Sequence, residues 1–251
     1  MTDLSEMVSF LDRELKTSSI LDYPGAVNGL QLASDRPVER VIAAVDASLP
    51  VIRAAAQSGP ALLLVHHGMF WQGVQPIRGP YFEKLKTAMD AGLAIYSSHL
   101  PLDVHPDWGN NIQLARAIGI HNPQPCFEQK GLHLGLRGNW SRSRSELIEV
   151  LGMVLGGKPH LCPAGPESPS KVAIVTGGAG SEIAKIAAEG IDTFITGEGP
   201  HWSYPLAEEL GVNLIYGGHY ATETFGVKAL GQVLAREFRL PWSFIDHPTG
   251  L

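Results

Sequence analysis

The chain has 251 residues, 44% of them hydrophobic and 18% charged, with 28 glycines, 18 prolines and a formal net charge of −6. That is enough chain for one large or two small globular domains. An acidic balance argues against a general nucleic-acid or anionic-membrane surface, which needs a basic face. No apolar run approaches the roughly 18–20 residues of a membrane span. Met1 to Met7 has neither a basic nor an apolar leader region, and Cys126 and Cys162 form no CxxC pair. A reducing cytoplasm is therefore the expected compartment, without a disulfide framework. The composition leaves ten histidines to explain.

Leu4, Met7, Val8, Leu11 and Leu15 fall at helical spacing, so an amphipathic helix opens the chain. Tyr23-Pro-Gly is a turn, and Asn28-Gly leads into a strand over 29–33. Val38 to Asp46 reads as a strand. Ser48 then caps a helix to about Gln57, with Pro50 in its first turn. Leu62 to Val65 is a buried strand that ends in His66-His67-Gly68. Neighbouring strand residues point to opposite faces, so these two imidazoles are expected to converge where the strand gives way to a loop. The carboxyl ends of strands are also where open α/β sheets place ligands.

Tyr81 to Ala91 reads as a helix and Leu93 to Ser98 as a strand running into a polar stretch. That stretch holds His99, Asp103, His105 and Gly109-Asn110-Asn111. A helix follows over 112–118. Pro123 to Lys130 is linker-like and suggests a division into repeats at 1–125 and 126–251. The second half reads as a strand over 131–140, a helix capped by Ser143, a Pro/Gly-rich connection over 156–170, a strand over 171–178 and a helix over 181–189. A strand over 192–198, a helix over 202–210, a strand over 213–216, one long helix over 221–238 and a last strand over 242–245 complete it.

Strand, helix and strand over 41–66 echo the same series over 172–198 at nearly the same interval. The expected fold class is therefore α/β: two duplicated repeats, each a mostly parallel sheet flanked by helices.

Three strand ends carry chemistry. His66 and His67 end the first. Asp103 follows another. His219 and Glu223, at i and i+4 after Gly217-Gly218, share one helix face. Five imidazole and carboxylate ligands exceed one tetrahedral zinc but suit two ions. Such a donor set accepts Zn, Mn, Fe or Ni. His99 and His105 are candidates for holding a ligand or a substrate. Glu198 and His201, at the duplicate of the His66 position, could line the same cavity. Gly177-Gly178-Ala-Gly180 spells neither a dinucleotide loop nor a P-loop, yet it is the best candidate for a phosphate cradle. Phe70 and Trp71 serve either as core packing or as a wall for a planar ligand.

Assembled in order, these motifs resemble those of a known family. Asn28-Gly-Leu-Gln31, His66-His67-Gly-Met-Phe-Trp71, His99-Leu-Pro-Leu-Asp103, Gly109-Asn-Asn111, Ile195-Thr-Gly-Glu198, Gly218-His219-Tyr-Ala-Thr-Glu223 and Phe244-Ile-Asp246 are similar to the NGG-interacting-factor-three-like dinuclear metal-centre proteins. Those proteins are also labelled type-two GTP cyclohydrolase I homologues. The resemblance implies intertwined repeats without the inserted central domain of longer relatives. It also implies a ring-shaped homohexamer and two metal ions held by His66, His67, Asp103, His219 and Glu223. Glu223 would bridge them, and His99 would stand beside them as a catalytic group. The function expected is metal-dependent hydrolysis of a nucleotide-like ring, an amide or a phosphoester. A non-enzymatic metal-loaded adaptor or metal-handling protein is the alternative.

Overall fold

A computed structural model describes residues 3–251; Met1 and Thr2, at the head of the stretch read for a leader, lie outside the described residues. The chain forms two compact units. Unit 1 is built from residues up to Leu102 together with Gly226–His247, and unit 2 from Asp103–Phe225 together with Pro248–Leu251. The chain thus leaves unit 1, builds unit 2 and returns. The division expected at residues 125 and 126 falls at the first strand of unit 2, and Asp103 counts with the second unit.

Unit 1 opens with α1 (Leu4–Glu14), whose first turn is capped by the Asp3 carboxylate accepting the Ser5 N–H. Its sheet contains β1 (Gly29–Leu32), β2 (Val41–Asp46), β3 (Ala61–His67), β4 (Leu93–Ser97) and β11 (Trp242–Phe244), in the order β1-β4-β3-β2-β11. β11, β2, β3 and β4 run parallel, and β1 closes the edge antiparallel to β4. A central parallel strand is covered on both faces, which is why β3 is apolar throughout its first five residues. α2 (Leu49–Ala56) starts on the Ser48 cap, and α3 (Gly79–Ala91) stops at left-handed Gly92. Ile42, Ile52, Leu63, Val65, Leu93 and Ile95 lie at the centre of one core, each at most 1% exposed.

Unit 2 repeats the plan. Its sheet takes β5 (Gln124–Gln129), β6 (Leu132–Asn139), β7 (His160–Pro163), β8 (Lys171–Val175), β9 (Thr193–Thr196) and β10 (Asn213–Tyr216), in the order β5-β6-β8-β9-β10-β7. β8, β9 and β10 are parallel and correspond to β2, β3 and β4; the outer strands are antiparallel. The remaining helices, in chain order, are α4 (Leu100–Asp103), α5 (Asn110–Ala117), α6 (Arg144–Leu155), α7 (Ile183–Ala188), α8 (Ser203–Leu210), α9 (His219–Thr222) and α10 (Thr224–Phe238). The mixed α/β class with two helix-flanked sheets is therefore as expected. Among the described residues no helix is long and apolar enough to cross a membrane.

Four local readings are corrected. Residues 123–130 are not a linker: β5 pairs antiparallel with β6, and Phe127 (φ 56) supplies the irregularity that hid its alternation. The 156–170 connection contains the edge strand β7. The polar stretch after β4 contains the single turn α4. The helix expected over 221–238 is broken at Glu223 (φ −103, ψ 3) into α9 and α10.

Cys126 and Cys162 are both buried and unbridged. Burial, helped by the Glu189 carboxylate and opposed by Arg137, pushes the Cys126 thiol up to about 12. Thiolate is the reactive form, and at pH 8 it then amounts to about 10⁻⁴ of Cys126. Titration with an aromatic disulfide reagent at pH 8 should find neither cysteine reactive in the native protein, and both after unfolding in guanidinium.

Candidate metal centre

β3 carries both histidines at its carboxyl end, and the strand continues through His67, which pairs in register with Asp46 of β2. The expectation that the strand would break before the histidines is corrected. Their rings nevertheless approach, with centroids 4.8 Å apart. His66 is fully buried and His67 partly so.

His66 Nδ1 lies 2.9 Å from the Ser98 carbonyl oxygen. A carbonyl can only accept, so Nδ1 bears the proton and Nε2 keeps the lone pair that a metal ion needs. His67 Nδ1 lies 2.9 Å from Asp46 Oδ1, across the β2–β3 pair. His99, the residue after Ser98 at the end of β4, has Nδ1 2.9 Å from Asp22 Oδ1. The three rings form one group, with His99 centred 4.9 Å from His66 and 5.7 Å from His67. One ligand nitrogen from each falls within 4.8 Å of the other two, a set that could hold a metal ion.

Asp22 also accepts from Asn28 Nδ2 and from the Leu100 N–H, while Asn28 Oδ1 accepts the His99 N–H. Burial pushes this carboxyl up, but the hydrogen bond and charge of His99, with Asn28 and the Tyr23 N–H, outweigh it and hold the group below its usual range. Gln31 ties the neighbouring loops together, donating to the Ala26 and Val27 carbonyls and accepting the Met69 N–H. A Cβ on Gly68 would lie 2.2 Å from Gln31 Nε2, so only glycine fits beneath that amide. Tyr23 and Trp71 stand beside the imidazoles, their ring centroids 5.9 Å and 4.8 Å from His99.

Unit 2 holds a second set. His219 opens α9 and Glu223 sits at the break before α10, with His219 Nε2 3.2 Å from Glu223 Oε2. His219 Nδ1 lies 2.8 Å from Glu198 Oε1 at the end of β9. Burial pulls the His219 pKa down, but its bonds to Glu223 and Glu198 and the charge of both raise it to about 9. Two carboxylates around one imidazole make a place for positive charge. Gly177 forms a cradle here: a Cβ on it would meet Glu223 Oε1 at 2.3 Å and His219 Nε2 at 3.5 Å. Thr222 Oγ1 accepts the Gly177 N–H and donates to the His219 carbonyl, locking the turn to the helix. Asp103 is buried, its Oδ1 taking the Asn110 Nδ2–H at 2.8 Å. Asn111 donates to the Asp103 and Leu134 carbonyls and accepts the Thr176 N–H, so the Gly109-Asn-Asn111 motif fixes this carboxylate's backbone.

Every expected ligand therefore lies at or next to a strand or helix end, His66 and His67 in unit 1 and Asp103, His219 and Glu223 in unit 2; His99, expected as a catalytic group, lies beside the first two. Such imidazole and carboxylate donors could hold a metal ion, since each ring is oriented by an outer acceptor of the kind that metal-bound imidazoles use. Asp22 and Asp46 were missed from sequence, because nothing in their spacing links them to His99 and His67, 77 and 21 residues away. Glu198 holds His219. His105 does something else: its Nδ1 accepts the N–H groups of Asp107 and Trp108, and its ring stacks on Trp108 at 4.2 Å. His201 is exposed. The glycine turn uses its amides internally, with the Gly177, Ala179 and Gly180 N–H groups bonded to Thr222 Oγ1, Thr196 Oγ1 and the Glu198 carbonyl. It is not a phosphate cradle.

Comparison with known proteins agrees with this architecture. The family model described as Duf34/NIF3 (NGG1p interacting factor 3) matches residues 2–249. A Deinococcus radiodurans protein named GTP cyclohydrolase 1 type 2 homolog is 39% identical, over 98% of this chain and 94% of its own length. Two solved structures superpose over the whole of both chains: protein ybgI, of unknown function, with a TM-score of 0.92 and 36% identity, and TTHA1606 from Thermus thermophilus, with a TM-score of 0.90 and 38% identity. This chain belongs to the Duf34/NIF3 family.

Proposed function

We propose that this protein is a metal-dependent hydrolase with a dinuclear centre. His66, His67, Asp103, His219 and Glu223 would hold its ions, with the Glu223 carboxylate shared between them. The observation that carries the reading is the anchoring of each imidazole at Nδ1, to Ser98, Asp46, Asp22 or Glu198. Rings held in that way present Nε2 in one orientation, which is what ligation requires, and at His219 an ion would replace the proton between Nε2 and Glu223. Two divalent ions drawn from Zn, Mn, Fe or Ni would supply the charge that lowers the pKa of a water molecule and polarises a C–N, C–O or P–O bond.

The chain's own residues do the rest. Asp22 holds the Nδ1 proton of His99, so His99 can take or give a proton only through Nε2, as a shuttle must. Tyr23 and Trp71 stand beside the His99 ring, and such a wall would suit a planar substrate. The name of the Deinococcus radiodurans relative, GTP cyclohydrolase 1 type 2 homolog, supports a nucleotide-like ring beside an amide or phosphoester as candidate substrates. The reading includes a homohexamer in a reducing cytoplasm, for which family resemblance and the two unbridged cysteines are the support.

Elemental analysis of purified protein, with light scattering on the same samples, should find about two transition-metal ions per chain. His67→Ala should lose metal while keeping its assembly state. A wild type that takes up no metal after reconstitution with any of the four ions would refute the ligand assignment. Asp46→Asn keeps the shape of the side chain but removes its charge. It should weaken metal binding about 10–100-fold in a chelator competition; unchanged affinity would mean that Asp46 does not support the site. Glu223→Gln should fold and assemble yet lose hydrolysis in a screen of nucleotides, amides and phosphoesters. If the metal-loaded wild type is inert toward all three classes, the adaptor reading replaces the enzyme.

A further inference from the structure

Unit 2 carries a concave polar surface that the metal ligands do not use. A cavity of about 320 Å³ opens there, lined by His121, Asn122, Gln124, Arg137, Asn139 and Lys171. The sheet register explains why these side chains meet. Gln124 of β5 lies opposite Arg137 of β6, and Asn139 of β6 lies opposite Lys171 of β8. Directly opposed residues, and residues two apart on one strand, project from the same face. Gln124, Arg137, Asn139 and Lys171 therefore share one face of three adjacent strands.

The remaining wall is the turn between α5 and β5. Gly138 brings it close: a Cβ there would lie 2.3 Å from Ile120 Cγ2, so glycine lets Ile120 bury itself against the strand. The next residues, His121 and Asn122, are carried to the rim. Asn122 adopts the left-handed conformation (φ 50), and its carbonyl accepts a hydrogen bond from Gln124 Nε2 at 3.2 Å. The backbone places the wall, and the exposed side chains of these residues face the opening.

Its chemistry is one-sided. A guanidinium, an ammonium, an imidazole and three side-chain amides face it, and no carboxylate is among the lining residues. Two acids lie close by without lining it: Glu189 pairs with Arg137 Nη1 at 3.7 Å through Oε2 while its Oε1 accepts the Phe127 N–H, so an anion would compete with Glu189 for Arg137, and Asp192 Oδ2 accepts from the Ser170 and Lys171 N–H groups and the Ser170 hydroxyl. On a chain of net charge −6, such a surface selects anions. The volume suits a small molecule, at the lower end of the usual range of about 300–1,000 Å³. A guanidinium presents parallel N–H donors that match two oxygens of one phosphate, and an ammonium adds a second charge.

We propose that this cavity binds a small phosphate-bearing molecule, with Arg137 and Lys171 as the principal contacts and His121, Asn122 and Asn139 completing the hydrogen bonds. The proposal is independent of the hydrolase reading, and its test is made so. Protein stripped of metal by a chelator is titrated calorimetrically with inorganic pyrophosphate at physiological salt, so that no metal ion can hold the ligand. Saturable binding with a dissociation constant below about 1 mM is expected. The double variant Arg137→Gln/Lys171→Gln should weaken it at least about tenfold. Both side chains are exposed, so circular dichroism and the thermal midpoint should be unchanged; if the double variant does not fold, Lys171→Gln alone should weaken binding several-fold. Absence of saturable heat, or heat that disappears between low and physiological salt, would overturn the proposal, because diffuse attraction is screened there. Equal affinity in wild type and variant would overturn it as well, leaving an adventitious ion only.

Discussion

The arrangement that the rest of this protein serves is the grip on imidazole Nδ1. A histidine ring free to rotate is a poor ligand, since its two nitrogens exchange roles and its lone pair has no fixed direction. Here the Nδ1 of each of four rings is fixed by an acceptor at 2.8–2.9 Å. Three of those acceptors are themselves held by secondary structure. Ser98 O belongs to the residue after β4, whose N–H bonds to the Val65 carbonyl in β3. Asp46 is the last residue of β2, in register with His67. Glu198 follows β9, and its N–H bonds to the Gly177 carbonyl after β8. Sheet register thus becomes ring orientation, without a loop having to supply it. Asp22, the fourth, is held by Asn28 and the Leu100 N–H instead.

This explains why the duplication matters chemically. In both units three parallel strands end together, and polar residues at those ends are held by the neighbouring strand end. Parallel strands bury their centres and leave only their carboxyl ends polar. The apolar runs Val41–Val45, Leu62–Val65 and Val172–Val175 are the cost in sequence freedom of that arrangement; the residues immediately beyond them carry the chemistry. Position 66–67 and position 198 are equivalent in this plan, yet one unit uses it for two imidazoles and the other for the carboxylate that orients His219. Duplication set the geometry, and divergence at the strand ends set the donors.

Much of this was legible because it is local. Continuous apolar runs bounded by Gly or Pro marked the parallel strands, and the Ser48 and Ser143 caps marked two helices where they occur. His66-His67 and the His219/Glu223 spacing stood out because candidate ligands from one element are close in sequence. What was not legible depends on distant pairs. Asp22 and Asp46 look like ordinary acids until the fold brings them to His99 and His67. β5 was obscured by Pro125 and by the left-handed Phe127, which interrupt alternation without preventing pairing to β6. The break at Glu223 was hidden because helical periodicity runs through it, while the hydroxyl of Thr222 just before it donates back to the His219 carbonyl and accepts the N–H of distant Gly177.

The glycine turn at 177–180 shows how a motif can mislead when its hydrogen bonds are uncounted. A strand, then glycines, then a helix is the outline of a phosphate loop, and the outline is present. A phosphate loop works only if its N–H groups point outward and are free to donate. Three of these N–H groups already donate to Thr222, Thr196 and Glu198, and the space above Gly177 is filled by Glu223, an acid that would repel an anion. The glycines are small so that a carboxylate can approach the backbone. The cavity over β5, β6 and β8 has the opposite character, with cationic and amide groups and no acid on its wall. Anion and cation preferences in unit 2 are therefore divided between two surfaces. The side chains present at each, and not the resemblance of a loop to a motif, decide which charge it accepts.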